Sequence, residues 1–279
     1  MKYYEIVECA NFDEFMSGVD NYINRGWIFR GHKKDSWELQ HRFERACDRL
    51  NVFGGDRTRV ESNMIREFKR RLHHYTTNTP ARDATDEWLA LMQHHGTPTR
   101  LLDFTYSPYV ATYFAFEYAE AESNVAIWAI NNGWFSEQLK HREIKDKYTA
   151  YRSLREEYGS FNDIFMRPKP VKLILSVNPF RLNERLAYQR GLFLCPGDVS
   201  ASMEENLAAY GDNDKIAEHI IQFTIPTGLN NKHTIEVLEH LDTMNISRIT
   251  LFPGLDGFAQ SLEPRINSLF LGQGSDENF

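Results

Sequence analysis

The apolar run Trp27, Ile28 and Phe29 ends in Arg30, Gly31 and His32. An arginine at that place has its stem buried along a strand and its planar fork presented at a sheet edge. That is the geometry for binding a phosphate or carboxylate through two parallel hydrogen bonds. Gly31 allows a ligand or another backbone to come close. The same arginine also reads as a structural one, paired with an acid in the core. A denser cluster runs from Gln93 to Pro108 and includes His94, His95, Arg100, Asp103, Thr105 and Ser107. These residues fall on a helix end, a loop and a strand, the setting in which sites are commonly built. Their structural reading is that Asp103 and Thr105 hold the turn before a Ser107 cap while Arg100 pairs with Asp103. A third segment, Glu184 to Phe193, turns from polar to apolar at Gly191, so Gln189 stands at a strand mouth. Its amide can fix a ribose hydroxyl or another amide, or it can satisfy open backbone groups at the sheet end.

Other chemistries have no matching pattern. Gly-x-Ser-x-Gly, His-Glu-x-x-His and the phosphate-loop motif do not occur. His94 and His95 are adjacent and do not share a helix face, and the pair His73 and His74 adds no Cys or carboxylate at zinc spacing, so no metal site is expected. Cys9, Cys47 and Cys195 are odd in number and unpaired in spacing, which reads as free thiols in a reducing compartment.

The elements that must position these residues follow from periodicity. Phe12, Phe15, Met16 and Val19 share a helix face within an introductory segment, residues 1–25, broken by Gly26. A short strand covers Trp27 to Gly31, and a polar, mobile link at 54–58 leads to an amphipathic helix at 60–72 with the stripe Val60, Met64, Phe68 and Leu72. A helix over 84–95 buries Trp88, Leu89 and Met92, and Gly96 to Pro98 stops it. Ser107 as N-cap and Pro108 at the first turn begin another, with Val110, Ala111, Phe114 and Ala115 inward. Strands are expected at 125–130, 171–177, 192–194, 220–225 and 248–252. A charged helical stretch, 136–166, is placed outside, and a helix at 234–244. The uneven alternation predicts an α+β single domain over 1–265, with a mixed or antiparallel sheet core, flanking helices and a frayed tail at 266–279.

The chain has 279 residues, of which 42% are hydrophobic, 13% aromatic and 25% charged, enough apolar material for a substantial core; global disorder and a coiled coil are excluded. The formal net charge of −7 disfavours general binding to nucleic acid or an anionic membrane, and Arg66, Lys69, Arg70 and Arg71 read as a solvated helix face. No window reaches membrane-spanning apolar length and the N-terminus lacks a secretory run, so a soluble cytoplasmic protein is expected.

Phe29, Arg30 and Gly31, the string from Gln93 to Ala115, the segment Tyr188 to Phe193 and the segment Ile246 to Gly257 closely resemble the FRG domain family, named for its Phe-Arg-Gly motif. The resemblance covers about residues 10–265. It implies a bacterial protein of the kind carried by mobile elements, and with it a defence or toxin effector. A weaker similarity is to ADP-ribosyltransferases, which use an aromatic-Arg-Gly strand, a strand leading into a Ser-Thr-Ser segment and helix, and a strand bearing Gln/Glu-x-Glu. Arg30, the segment Asp103 to Pro108, and Gln189 to Leu194 look like those three elements.

That similarity implies NAD as substrate, with no resident cofactor. Arg30 would clamp phosphate, Thr105 and Gln189 would contact ribose or amide, and Asp103 would be a polarising carboxylate. Gly31, His95, Arg100 and Ser107 would be further ligand contacts. The family's catalytic Glu falls on Gly191 here, which has no carboxylate for developing positive charge. Three readings stay open: binding without turnover, service by Asp103, or a different register. The alternative to an enzyme is a non-catalytic module, a sensor or adaptor recognising a ligand or a protein partner.

Overall fold

The computed structural model describes residues 2–140, 143–153, 159–179, 184–211 and 213–263. Val125 to Ile130 is uninterruptedly apolar, and it forms the middle of a strand buried on both faces. This strand, β4 (Asn124–Asn131), lies in a seven-stranded sheet with β1 (Glu5–Glu8), β2 (Trp27–His32), β3 (Leu102–Thr105), β5 (Ile174–Val177), β6 (Gly191–Pro196) and β7 (Ile220–Pro226), in the order β1-β7-β4-β2-β3-β6-β5. Only β1 and β7 run parallel; every other neighbouring pair is antiparallel. The expected mixed sheet with flanking helices is therefore present.

The helices are α1 (Phe12–Val19), α2 (Arg42–Arg49), α3 (Gly55–Arg71), α4 (Thr85–His94), α5 (Pro108–Phe116), α6 (Asn132–Leu139), α7 (Lys145–Ser153), α8 (Gly159–Phe165), α9 (Glu184–Tyr188), α10 (Met203–Ala208), α11 (Asn213–Ala217), α12 (Lys232–Thr243), α13 (Arg248–Leu251) and α14 (Leu255–Ser261). Alternation along the strands sends Phe29, Ile127, Ala129 and Phe223 to one face, against Phe15 of α1, Ala111 and Phe116 of α5 and Leu241 of α12. Ile28, Trp128, Phe104 and Leu194 go to the other, against Phe135 of α6 and Met203 and Leu207 of α10. At the β5–β6 end a further core joins Phe193 and Cys195 to Leu89, Tyr148, Phe161 and Phe165.

Four expectations change. The 54–58 link is not a loop: α3 starts at Gly55, and Arg57 is buried with its fork on Asp48. The 136–166 stretch is not all outside: among its described residues Leu139, Ile144, Phe161 and Ile164 are fully buried. The N-terminal segment opens with a strand, β1, whose exposed glutamates hid its pattern. The strand expected at 248–252 is the short helix α13, whose first turn is held by Thr250 Oγ1 accepting from the Ser247 amide at 3.0 Å. The tail at 266–279 lies outside the described residues.

The sheet is not uniformly zipped. Six register pairs join β2 to β4, whereas Phe29↔Thr105 is the single pair joining β2 to β3. Beyond it the two strands diverge, and the side chain of Arg30 crosses the gap to donate from Nη1 to the Asp103 carbonyl oxygen at 2.7 Å.

Candidate functional site: a basic cleft where the sheet splits

Gly31 is small because α5 lies directly on it. A Cβ there would run into the Ala111 carbonyl oxygen and stand 2.6 Å from the Ala115 amide nitrogen. The close approach is thus to a helix. α5 starts where the sequence predicts: Ser107 Oγ accepts from the Val110 amide at 3.3 Å, and Pro108 occupies the first turn. Thr105 Oγ1 donates to the Gln189 carbonyl oxygen at 2.7 Å and accepts from the Ser107 amide at 3.0 Å. Both hydroxyls therefore tie β3, α5 and the entry to β6 together.

Arg30 is fixed on its inner side. Its Nε donates to His32 Nε2 at 3.0 Å. Burial first, then the nearby Arg30 charge, pushes the His32 pKa down to about 3, so the ring is neutral. Its Nδ1 lies 3.2 Å from the Trp37 carbonyl oxygen and 3.2 Å from the indole Nε1–H of Trp128. The Asp103 carboxylate is 3.9 Å from Arg30 Nη1 and 65% exposed, and its Oδ1 accepts from Gln93 Nε2 at 2.8 Å. Gln189 donates from Nε2 to the Leu251 carbonyl oxygen at 3.1 Å and lines the cleft.

Two adjoining cavities, of about 230 and 210 Å³, share Arg30, Asp103, Arg185 and Gln189. The first has an apolar floor from Phe29, Phe104, Ala111 and Phe114. The second adds Arg42 and Arg45 of α2, Gln93 and His94. Arg185 reaches both, with its guanidinium 4.4 Å over the ring of Phe252. The pKa values of Arg30, Arg45 and Arg185 are all lowered, by burial first, and each is lowered further by a neighbouring arginine; Asp103 opposes this in all three. A larger recess of about 680 Å³ lies along β1 and β7, away from these residues, and bears Glu8, Glu14 and Asp35.

Arg30, Gly31, Asp103, Thr105 and Gln189 thus meet at one cleft, and Ser107 caps the helix beside it. His95 and Arg100 do not line either cavity. His95 is exposed, with its ring 5.0 Å from that of His94. Arg100 is buried and gripped by both carboxylate oxygens of Glu61, with Nη1 donating to the Phe165 and Pro196 carbonyls at 3.0 and 3.3 Å. It pairs with Glu61 rather than with Asp103, the partner suggested by local spacing. Gly191 is crowded by Leu186: a Cβ there would push the Leu186 Cδ1 methyl aside and stand 3.2 Å from the Leu186 carbonyl oxygen. Arg42, Arg45 and Arg185 went unnoticed in the sequence. The available signal was the i, i+3 spacing of the first two and the i, i+4 spacing of Arg185 and Gln189.

Among the described residues no group of His, Cys, Asp or Glu is arranged to hold a metal ion, and no helix is long and apolar enough to cross a membrane. Residues 25–124 match the family model of the FRG domain. That span carries Arg30, Arg42, Arg45 and Asp103, while Arg185 and Gln189 come from beyond it. No curated protein and no solved structure matches the chain.

Proposed function

We propose that the split-sheet cleft is a nucleotide site of the kind the ADP-ribosyltransferase resemblance implies, taking NAD or a related nucleotide. The observation that carries this is the pairing of an apolar, phenylalanine-floored cavity with a rim of guanidinium groups that is short of acid. A planar base or nicotinamide ring fits against Phe114 and Ala111. Arg30, held by His32 and the Asp103 carbonyl, and Arg185, held by Phe252, face phosphate. The amide oxygen of Gln189 and the carboxylate of Asp103 serve the ribose hydroxyls.

Binding is favoured over turnover by the missing carboxylate at Gly191; Asp103 is the carboxylate lining the cleft. A second reading rests on the exposure of that carboxylate: Asp103 would stabilise the positive charge that develops on the ribose as nicotinamide leaves. Turnover makes the chain an NAD-consuming effector of the toxin or defence kind; binding alone makes it a sensor or adaptor.

The test is calorimetry with NAD, with nicotinamide release followed by chromatography on the same sample. Arg30→Ala should weaken binding about 10- to 100-fold, the worth of a hydrogen bond to a charged group. Under the second reading Asp103→Asn abolishes release while NAD still binds. No binding of NAD or ADP-ribose at millimolar concentration overturns the proposal.

A further inference from the structure

The second cavity holds more positive charge than a pyrophosphate needs. Arg30, Arg42, Arg45 and Arg185 line it with one carboxylate, Asp103, so three positive charges lack an acidic counterpart among the lining residues. Arg42 and Arg45 sit three apart on α2 and are both exposed, whereas Phe43, Glu44 and Cys47 on its other side are buried. The buried side is anchored: the Phe43 amide donates to the Thr99 carbonyl oxygen at 3.1 Å, and Glu44 accepts from the Met203 amide at 3.3 Å. The arginine face of α2 is therefore held toward the cleft by the core behind it. Arg45 spends one donor on the Gln40 carbonyl oxygen, and neither Arg42 nor Arg45 forms an ion pair with an acid among the described residues. The Arg42 charge lowers the Arg45 pKa, and that of Arg45 lowers the Arg30 pKa.

We infer that Arg42 and Arg45 form a second anion subsite that takes a phosphomonoester, so that the cleft selects nucleotides carrying a phosphomonoester in addition to a pyrophosphate. This rests on the nucleotide reading of the cleft and adds the class of ligand. The pyrophosphate of a dinucleotide supplies two negative charges to Arg30 and Arg185. A phosphomonoester brings about 1.5 to 2 more at neutral pH, which matches the surplus on α2. Guanidinium forks suit its three oxygens.

NAD and NADP differ by one phosphomonoester, on a ribose hydroxyl, and form the natural pair of probes. Calorimetry at one fixed ionic strength should show NADP binding at least tenfold more tightly to the wild-type chain. The double substitution Arg42→Gln, Arg45→Gln keeps polar stems on α2 and should erase most of that preference, weakening NADP far more than NAD. Circular dichroism confirms that the variant is folded. Arg70→Ala with Arg71→Ala, on the exposed face of α3, serves as the control and should keep the preference. Equal affinities for the two dinucleotides in the wild-type chain overturn the subsite alone and leave the nucleotide reading standing. A preference that survives the α2 double substitution also overturns it. Binding of neither dinucleotide overturns both.

Discussion

Two buried acids behind the cleft, Glu61 and Glu44, do different work. Arg100 gives its whole fork to Glu61 and two backbone carbonyls, which fastens α3 and α8 to the end of β6. Glu44 has no such partner. Burial pushes its pKa up to about 7, and the amide of Met203 only partly opposes this. The neighbouring ring of His41 is held near 3 by burial and by the charges of Arg100 and Arg57, so it supplies no positive charge. Between about 4.5 and 7 the folded chain thus keeps a proton on Glu44 that the unfolded chain has lost, and this group's contribution to stability falls as pH rises through that window. His32 and His41 act in the opposite sense below their ordinary pKa of 6.5. Glu44→Gln isolates the carboxyl. Its advantage over wild type in urea unfolding should grow from near zero at pH 4.5 to on the order of 2 kcal/mol at pH 8. A difference that does not change with pH would contradict this assignment.

At the scale of elements, the cleft exists because two strands part and two helices press close. Gly31 lets α5 lie on β2, and this contact sets the floor with Ala111 and Phe114. Gly31→Ala forces the helix away and should cost about 1–3 kcal/mol, read as a lower urea midpoint with unchanged slope. The short helix α13 matters through its end. The ring of Phe252 lies under the guanidinium groups of Arg185 and Arg248, at 4.4 and 4.5 Å, and meets Phe114 edge-on at 5.9 Å. Phe252→Ala should leave Arg185 unguided and weaken dinucleotide binding about 2- to 10-fold, the usual worth of a cation–π contact; wild-type affinity in that variant would show that Arg185 needs no guide. Elements with local chemistry were legible in the sequence: the Ser107 cap, the Pro108 turn and the apolar run of β4 each carry their own signal. The helix at 248–251 was not, because Ile249, Thr250 and Phe252 favour strand by type while the Thr250 hydroxyl, accepting from the Ser247 amide, closes a helical turn.

For the whole molecule, the net charge of −7 and the local basic cleft are compatible because the acids lie elsewhere, including Glu8, Glu14 and Asp35 along the far recess. The segment matching the FRG domain supplies β2, β3, α2 and α5, and the chain beyond it closes the cleft with Arg185 and Gln189. The meeting of Arg30, Asp103 and Gln189 was foreseeable because each is a polar residue beside an apolar run. Arg100 was misplaced because its partner, Glu61, lies on a helix that only tertiary packing brings near. Arg185 stayed hidden for the same reason, since Phe252 reaches it only through the fold.

The most direct test of the account is a crystal structure of the chain soaked with ADP-ribose. The account predicts density along the cleft, with the pyrophosphate on Arg30 and Arg185 and the adenosine or terminal ribose against Phe114. Density confined to another surface, or an empty cleft at saturating ADP-ribose, would contradict it.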